Sequence, residues 1–453
     1  MANTAMKDMT TGSPIKLLLG FFFPMLFGML FQQFYNMVDT MIVGKYLGVQ
    51  ALAAVGSTGS INFMIIGFCM GVCSGFAIPV AQKFGEKNYV QLRKFTANGA
   101  WLSILFAAVM TVIVCVLCRE ILICMNTPED ILEGAYDYIL VIFLGIPAVY
   151  LYNMTSGVIR SLGDSRTPLI FLIISSVLNI VLDLYMIVKL EMGVAGAAWA
   201  TVIAQAVSGI ACLIFMAKRY EVLHMTREEA KPDGNIIKIL CGMGIPMGIQ
   251  YSITAIGSVV LQTAVNGLGS MAVAAVTAGS KIGMFFCCPY DALGSTMATY
   301  GGQNIGARKL DRIGEGLRAA VIMGGVYSVI ALIVLVLFGK PLGLLFLDES
   351  RTEILGQVHL FLIVNSAFYF PLALVNIVRF LIQGMGYSKL AVLAGVCEMF
   401  ARSFVGFCLV PMFGYLAVCF ASPCAWIAAD VFLISAYLKI MKKLKAGVKA
   451  GEE

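Results

Sequence analysis

Residues 47–55 read LGVQALAAV, and residues 268–276 read LGSMAVAAV, so one short pattern occurs twice about half a chain apart. The repeat continues beyond this stretch, because Gln82 recurs as Gln303 at the same spacing. Further matches pair Pro24 with Pro246 and the pattern at 162–166 with the one at 385–389. Such repetition indicates a fold built from two similar halves.

Composition places this fold in a membrane. Hydrophobic residues make up 60% of the chain and charged residues 12%, which is more apolar surface than a soluble core of this size could bury. The long apolar runs approach or exceed the ~20 residues that cross a hydrocarbon layer as a helix, and they lack the alternation of a membrane barrel. The sequence therefore predicts an all-α polytopic membrane protein. Its twelve transmembrane helices are expected at residues 15–43, 51–81, 95–117, 131–158, 168–188, 194–217, 236–265, 271–299, 317–338, 354–382, 390–410 and 415–440.

The halves contain six predicted spans each, an even number, so both enter the membrane in the same orientation. We expect two pseudo-symmetric six-helix lobes around a central cleft. Residues 1–217 form the N-terminal lobe with helices 1–6, residues 218–235 form a charged cytoplasmic linker, and residues 236–453 form the C-terminal lobe, helices 7–12, with a basic cytoplasmic tail. Two like-oriented bundles can rock to expose a midplane site to each side in turn, as carriers do; a passive scaffold or a channel is the alternative.

Lys and Arg residues are distributed unequally between the two sides of this topology. If the N-terminus is cytoplasmic, most of them fall in inner segments, and the outer loops hold only Lys45, Arg119, Lys189, Lys340 and Arg351. Positively charged loops stay on the cytoplasmic side of a membrane. We therefore expect a multi-pass protein of the cytoplasmic (inner or plasma) membrane with both termini cytoplasmic. The net charge of +6 then reflects topology, and no nucleic-acid partner is expected.

Acidic side chains inside the predicted spans are candidates for function. A charged side chain at the centre of a bilayer costs about 2.5–3.5 kcal/mol on insertion scales, so each one needs a partner or a role. The candidates are Asp39, Asp183, Asp291, Glu398 and Asp430.

Two of these aspartates are expected to meet in the first half. With a rise of about 1.5 Å per residue, Asp39 on the first span, Asp183 on the fifth and Thr201 on the sixth lie about 6–10 Å below the outer helix ends. Asn179 lies four residues before Asp183 and shares its helix face. Tyr138 enters from the fourth span at a comparable depth. Carboxylate, amide and hydroxyl oxygens at one level suit a proton or an alkali cation; unrelated interhelical hydrogen bonds are the alternative.

The second half does not keep these groups. Asp39 has an apolar counterpart there, and the stretch that matches Asn179 and Asp183 carries Glu398 and Arg402, again four residues apart. Because this pair can neutralise itself, we expect it to be structural. Asp291 and Asp430 are each open to two interpretations. They attract a cationic substrate, or they have a capping or interhelical role.

Longer motifs resemble the multidrug and toxic compound extrusion (MATE) family over essentially the whole chain. They are the first-span stretch 24–39 with QQFYNMVD at 32–39, the pattern Gln82-x-x-Gly85, the turn RSLGD at 160–164 and GVAGAAxAT at 193–201. The resemblance implies twelve helices in two lobes. It also implies an antiporter that expels organic, often cationic and amphipathic compounds against an inward flow of H⁺ or Na⁺.

The family's cation site in the N-terminal lobe carries over onto Asp39, Asn179, Asp183 and Thr201, the same residues that the depth argument brings together. Some members also place a glutamate on the seventh span, whereas residues 250–254 read QYSIT here. This departure counts against a cation site in the C-terminal lobe.

Three residues of the first span have further expected roles. Pro24 resembles the proline at which the family's first helix bends, and proline inside any helix favours a kink. Gln32 and Tyr35 recur with Asp39 at spacings of three and four, so they face one way. We expect Gln32, Tyr35 and Tyr138 to line the substrate cleft.

The sequence thus predicts an H⁺- or Na⁺-coupled antiporter that exports such compounds by alternating access. We expect no cofactor beyond the coupling ion, no metal site apart from Na⁺ at the cation site, and a monomer whose partners are a drug-like small molecule and membrane lipid. A lipid-linked oligosaccharide flippase is the alternative, but it would favour a strongly cationic cleft, and the predicted spans hold few bases. An enzyme is not expected, because no Gly-x-Ser-x-Gly, His-Glu-x-x-His or Walker pattern occurs. The bases within spans are Lys281, Arg379 and Arg402.

Overall fold

The structure is a computed structural model that describes residues 6–125, 127–345 and 352–450. Its regular secondary structure over these residues is entirely helical, which confirms the predicted all-α class. The helices are α1 (Pro14–Leu47), α2 (Val49–Ser57), α3 (Gly59–Gly85), α4 (Tyr89–Val116), α5 (Cys118–Cys124), α6 (Glu129–Leu144), α7 (Ile146–Ser161), α8 (Arg166–Leu184), α9 (Gly193–Arg219), α10 (Gly234–Asn266), α11 (Ser270–Gly306), α12 (Leu310–Gly343), α13 (Thr352–Ala367), α14 (Tyr369–Gly384), α15 (Ser388–Phe404), α16 (Val410–Phe413) and α17 (Tyr415–Ala450).

Within the described residues, ten helical segments are long and apolar enough to cross a membrane, and two bent helix pairs raise the total to as many as twelve spans. The bent pairs correct two predicted spans that were expected as single runs. Residues 131–158 are divided between α6 and α7, which meet at 44°, and residues 354–382 between α13 and α14, which meet at 51°. Proline explains both breaks, because Pro147 and Pro371 cannot donate a backbone hydrogen bond to the preceding turn.

The chain forms two compact units. One comprises Phe27–Ser252 with the described residues up to Asp8, and the other comprises Met9–Leu26 with the described residues from Ile253 onward. These units differ from the predicted lobes, because residues 9–26 group with the second half and residues 236–252 with the first. The boundary between the two units divides α1 after Leu26 and α10 after Ser252, in each helix a few residues after its proline, Pro24 or Pro246.

Close backbone contact joins α10 to α3 within the first unit. A Cβ atom on Gly75 would lie 2.5 Å from the Cα atom of Gly244, and one on Gly71 would lie 2.6 Å from the carbonyl oxygen of Met247. Gly71 and Gly75 are four residues apart, as are Gly244 and Gly248. Small residues at this spacing let two helix backbones approach closely in a membrane. The glycines therefore fix the start of α10 against α3.

The predicted linker 218–235 is held by hydrogen bonds to the first unit. Arg93 on α4 donates two hydrogen bonds to the Glu229 carboxylate, at 2.9 and 2.7 Å, and Asn98 accepts one from the backbone N–H of Asp233 at 2.8 Å. Trp101 donates to the Ala230 carbonyl at 3.0 Å. The Arg93 guanidinium lowers the pKa of Glu229 to about 2.

The chain before α1 is held in the same manner within the second unit. The Met9 backbone N–H donates to Gln303 Oε1 at 2.8 Å, and Asn304 donates back to the Met9 carbonyl at 3.2 Å. Lys309 donates to the Thr10 carbonyl at 2.8 Å. The segment before α10, the first helix of the second repeat, therefore binds within the first unit. The segment before α1, the first helix of the first repeat, binds within the second unit.

Candidate cation and substrate site

Four helices of the first unit carry the predicted cation-site residues and Tyr138. Asp39 lies on α1, Asn179 and Asp183 on α8, Thr201 on α9 and Tyr138 on α6. The α8 helix ends one residue after Asp183 and continues as a π-helical turn over Tyr185–Lys189. Such π turns inside helices are frequent at functional sites. This turn is a feature that the sequence pattern did not predict.

Asn179 and Thr201 connect α8 to α9. The side-chain amide of Asn179 donates to Thr201 Oγ1 at 3.2 Å, and the Thr201 hydroxyl donates to the Ala197 carbonyl at 3.2 Å. The contact between the predicted residues therefore exists, and it fixes the direction of the Asn179 amide. Because its NH₂ group points at Thr201, the carbonyl oxygen Oδ1 of Asn179 is left to interact elsewhere.

Asp39 and Asp183 are brought together from separate helices. Their side chains are close enough to interact electrostatically. Asp183 is completely buried and Asn179 is nearly so. Carboxylates are acceptors only, and one of them can donate to the other only when it holds a proton. The two carboxylates can therefore hydrogen-bond to each other only when one of them holds a proton; when both are ionised, only a bound cation offsets their repulsion.

The acidic pair and Asn179 contain buried oxygen atoms that have no hydrogen-bond donor among the residues described. Asp39 Oδ1, Asn179 Oδ1 and both carboxylate oxygens of Asp183 are buried and receive no hydrogen bond from a donor in the described residues. Salt bridges to Asp39 or Asp183 are likewise absent from the described part of the chain. A buried acceptor without a donor is costly in a native fold, so these oxygen atoms are candidates for contact with a cation or a proton. Four oxygen atoms of this kind suit a small hard cation.

The residues predicted to line the cleft lie beside the acidic pair. Tyr35 is hydrogen-bonded to Gln32, and both Tyr35 and Tyr138 are close enough to interact electrostatically with Asp39 and Asp183. Tyr138 is buried, whereas Gln32 and Tyr35 are partly exposed. Two aromatic rings and an amide next to paired carboxylates offer both apolar surface and negative charge to a ligand.

Pro24 lies within α1, in the part of the helix that belongs to the second unit. The helix continues through it from Pro14 to Leu47, and the missing N–H leaves the Gly20 carbonyl without its helical donor. The bend at Pro24 stays a prediction.

In the second unit, the predicted Glu398–Arg402 pair is present, with Arg402 Nη2 at 3.4 Å from Glu398 Oε2. Sequence reasoning missed a second partner, because Arg379 on α14 also forms an ion pair with Glu398. The sequence did contain a signal for this partner. Arg379 lies in a predicted span and has no acidic residue four positions away on its own helix, which indicates a partner on another helix. Asp291 accepts a hydrogen bond from Asn376 at 3.3 Å.

Metal clusters of the common kind are not part of this arrangement. The described residues contain no group of three or more His, Cys, Asp and Glu side chains that could hold a metal ion. Carboxylate and amide oxygens are hard ligands, whereas transition metals favour imidazole and thiolate ligands.

A duplicated bundle of membrane-spanning helices with paired carboxylates buried in one unit defines a membrane transporter. The MatE family model matches residues 24–185 and again residues 246–408, once in each half. The chain therefore belongs to the MatE family, the multidrug and toxic compound extrusion transporters, as the sequence motifs predicted.

Individual relatives agree with this assignment. "Probable multidrug resistance protein YoeA" of Bacillus subtilis (strain 168) is 29% identical over 339 residues, 73% of either chain. "Multidrug export protein MepA" of Staphylococcus haemolyticus (strain JCSC1435) is 21% identical over 410 residues, 90% of this chain and 89% of the relative. A solved structure described as the outward-facing conformation of a multidrug resistance MATE family transporter superposes with a TM-score of 0.92 at 21% identity, covering 98% of this chain and 99% of the other. This likeness confirms the fold.

Proposed function

We propose that the protein is an H⁺- or Na⁺-coupled antiporter that exports organic, often cationic and amphipathic compounds by alternating access. The observation that carries the proposal is the Asp39–Asp183 pair, which brings two carboxylates together in a buried place without a basic partner in the described residues. The multidrug names of the relatives support the class of substrate. The positively charged inner loops support a cytoplasmic membrane location with both termini inside, and we propose a monomer.

The coupling follows from charge. Two ionised carboxylates in a medium of low dielectric constant repel each other, and neutralisation by a proton or Na⁺ removes this repulsion. A cationic substrate beside Tyr35 and Tyr138 is attracted by the same negative charge. Ion and substrate therefore favour different charge states of one site, so binding of the ion weakens binding of the substrate. Neutralisation also changes how Asp39 on α1 interacts with Asp183 on α8, which links ion binding to helix packing.

The flippase alternative has less support. It needs a strongly cationic cleft, but two of the bases in the spans, Arg379 and Arg402, both pair with Glu398. One carboxylate offsets one of these two positive charges, and the single positive charge that remains falls short of a strongly cationic cleft for a pyrophosphate group.

Ethidium efflux from proteoliposomes tests the proposal. Wild-type protein should drive efflux under an imposed pH gradient or an imposed sodium gradient, and the gradient that works identifies the coupling ion. Asp39→Asn and Asp183→Asn should each abolish gradient-driven efflux, because an amide cannot bind and release a proton or carry the charge that holds Na⁺. Asp137→Asn is the matched control, since Asp137 is exposed and lies next to Tyr138 on α6. Gradient-driven efflux by the double variant would refute the site.

A further inference from the structure

A cavity of about 440 Å³ lies in the second unit between the beginning of α12 and the end of α17. Its lining residues come from these two helices, and they are separate from the residues of the candidate cation and substrate site. They are Leu310, Asp311, Gly314, Glu315, Arg318, Tyr437, Met441, Lys442 and Lys445. Spacings of three and four residues bring each set to one face of its helix. We call this place the α12–α17 cavity.

The α12–α17 cavity lies where both helices pass from apolar to charged sequence. On α12, residues 319–339 contain no charged residue, and Arg318 immediately precedes them. On α17, residues 431–438 are likewise uncharged, and a series of lysines begins at Lys439. A run of about 20 apolar residues spans the hydrocarbon layer as a helix. The charged residues of the cavity are therefore at the level of the phospholipid headgroups.

The charged groups of the lining are only partly paired with one another. Lys445 Nζ lies 3.2 Å from Asp311 Oδ1, so one ion pair joins α17 to α12 at the cavity. Arg318, Lys442 and Glu315 are exposed and form no ion pair within the described residues. Two positive charges and one negative charge are thus left to interact with a ligand.

Apolar side chains complete the lining. Tyr437 and Met441 are buried, and Leu310 is partly buried. Tyrosine is common at the boundary between hydrocarbon and headgroups, because its ring is apolar and its hydroxyl is polar. The volume of the cavity also falls within the range of about 300–1,000 Å³ that is usual for small-ligand sites. An apolar wall beside unpaired charges at headgroup level suits a phospholipid.

The signs of the unpaired charges distinguish one headgroup from another. Arg318 and Lys442 are donors that suit the oxygen atoms of a phosphate group. Glu315 repels a phosphate group but accepts hydrogen bonds from an ammonium group. Ethanolamine carries such a group next to the phosphate. Choline has no N–H to donate, and glycerol has no positive charge.

We propose that the α12–α17 cavity binds the headgroup of phosphatidylethanolamine, with the phosphate at Arg318 and Lys442 and the ammonium group at Glu315. The bound headgroup then bridges α12 and α17, the same helices that the ion pair of Lys445 and Asp311 joins. A ligand that binds the folded state and not the unfolded state stabilises the fold by mass action. Lipid composition therefore sets the stability of the second unit.

General attraction of lipid by the basic end of α17 makes the opposite prediction. Clustered lysines attract anionic lipid of any kind through their charge. This attraction favours phosphatidylglycerol, which is anionic, over phosphatidylethanolamine, whose net charge is zero. Recognition of the ammonium group by Glu315 reverses this order, so the order of the two lipids decides between the explanations.

Thermal unfolding in detergent with one added phospholipid tests the proposal without a transport assay, so the result does not depend on the proposed function. Phosphatidylethanolamine should raise the unfolding midpoint by several degrees. Phosphatidylcholine and phosphatidylglycerol with the same acyl chains should raise it much less. A larger rise with phosphatidylglycerol, or equal rises with all three lipids, would overturn the proposal.

Variants locate the effect in the cavity. Glu315→Gln should remove the preference for phosphatidylethanolamine, because the amide carries no negative charge. The double variant Arg318→Gln and Lys442→Gln should weaken the effect of all three lipids. Lys443→Gln is the control, because it removes an exposed base of α17 that does not line the cavity, and it should keep the preference.

Native mass spectrometry of the same variants counts the bound lipid molecules directly. It keeps the test decisive if a substitution lowers the unfolding midpoint for another reason. Glu315→Gln should retain fewer phosphatidylethanolamine molecules than the wild type, and Lys443→Gln should retain the same number. A preference for phosphatidylethanolamine that survives Glu315→Gln, or that disappears in Lys443→Gln, would overturn the assignment.

Discussion

Thr201 decides which way the Asn179 amide points. An asparagine amide has a donor side and an acceptor side of nearly equal shape, and only its hydrogen bonds select between them. Thr201 Oγ1 accepts from the amide NH₂ at 3.2 Å, while its own hydroxyl proton is used by the Ala197 carbonyl. The hydroxyl thus holds the Asn179 side chain so that its oxygen Oδ1, which is buried, is turned away from Thr201. Direct contact with the ion is not required for this effect.

Thr201→Val should therefore weaken binding of the coupling ion while the fold is kept. Valine has nearly the same shape but no acceptor, so the Asn179 amide loses a partner worth about 1–2 kcal/mol, which corresponds to about a 10-fold higher ion concentration for half-maximal ethidium efflux. Thr201→Ser keeps the acceptor and should behave like the wild type. If the valine and serine variants respond to the ion equally, Thr201 has no part in orienting the amide.

Helix depth and the spacing of four residues are local properties, so the sequence alone is enough to predict that Asp39, Asn179 and Asp183 lie at one level. It was not sufficient for Arg379, whose carboxylate partner Glu398 lies on another helix. Such a pair depends on how α14 packs against α15, which no periodicity in one helix reveals. The same holds for the buried Oδ1 atom of Asp430, which has no hydrogen-bond donor in the described residues, since satisfaction depends on every neighbouring helix.

Apolar length predicted where helices cross the membrane but not where they break. Residues 131–158 are predominantly apolar, yet α6 ends at Leu144 and α7 begins at Ile146. A Cβ atom on Gly145 would lie 2.3 Å from Val202 Cγ2, so the break also places the backbone against α9. The π turn after Asp183 is likewise a local change of helix type inside an apolar run, which apolar length does not reveal.

Gly75→Leu should destabilise the protein by forcing α3 away from α10. The Cβ atom would lie 2.5 Å from Gly244 Cα, and a backbone atom cannot be displaced as a flexible side chain can. Overpacking of this kind typically costs about 1–3 kcal/mol, so the thermal unfolding midpoint in detergent should fall by several degrees. Gly242→Leu on α10 is the matched control, because a Cβ atom there meets nothing within 4 Å. An equal loss of stability in both variants would show that the close contact is unimportant.

The linker between the two repeats behaves as part of the first unit. Arg93, Asn98 and Trp101, all on α4, bind residues 229–233 through side-chain hydrogen bonds. Residues 236–252, which follow, also belong to this unit. The first unit therefore extends past the linker into α10, the first helix of the second repeat, as far as Ser252.

The ion pair of Arg93 and Glu229 should keep the linker attached over the whole physiological pH range. The pKa of Glu229 is lowered from 4.5 to about 2, first by the hydrogen bonds from Arg93. Because the folded-state pKa lies below the ordinary one, the contribution to attachment is fully present above pH 4.5 and is lost as the pH falls towards 2. Hydrogen–deuterium exchange of the peptide that covers residues 226–233 measures this attachment. Wild-type protein should show the same number of protected linker amides at pH 6 and pH 8, after correction for the intrinsic exchange rate.

Glu229→Gln should release the linker, because the amide cannot pair with Arg93 and the Thr226 N–H loses a charged acceptor that lies at 2.8 Å. The backbone N–H groups of Thr226 and Asp233 should then exchange faster, at every pH measured. Glu228→Gln is the control one residue away: its pair with Lys231 is exposed on both sides and such pairs contribute little. Equal exchange in the two variants would mean that Asn98 and Trp101 suffice to hold the linker, and that the Arg93–Glu229 pair is not what ties the start of the second repeat to the first unit.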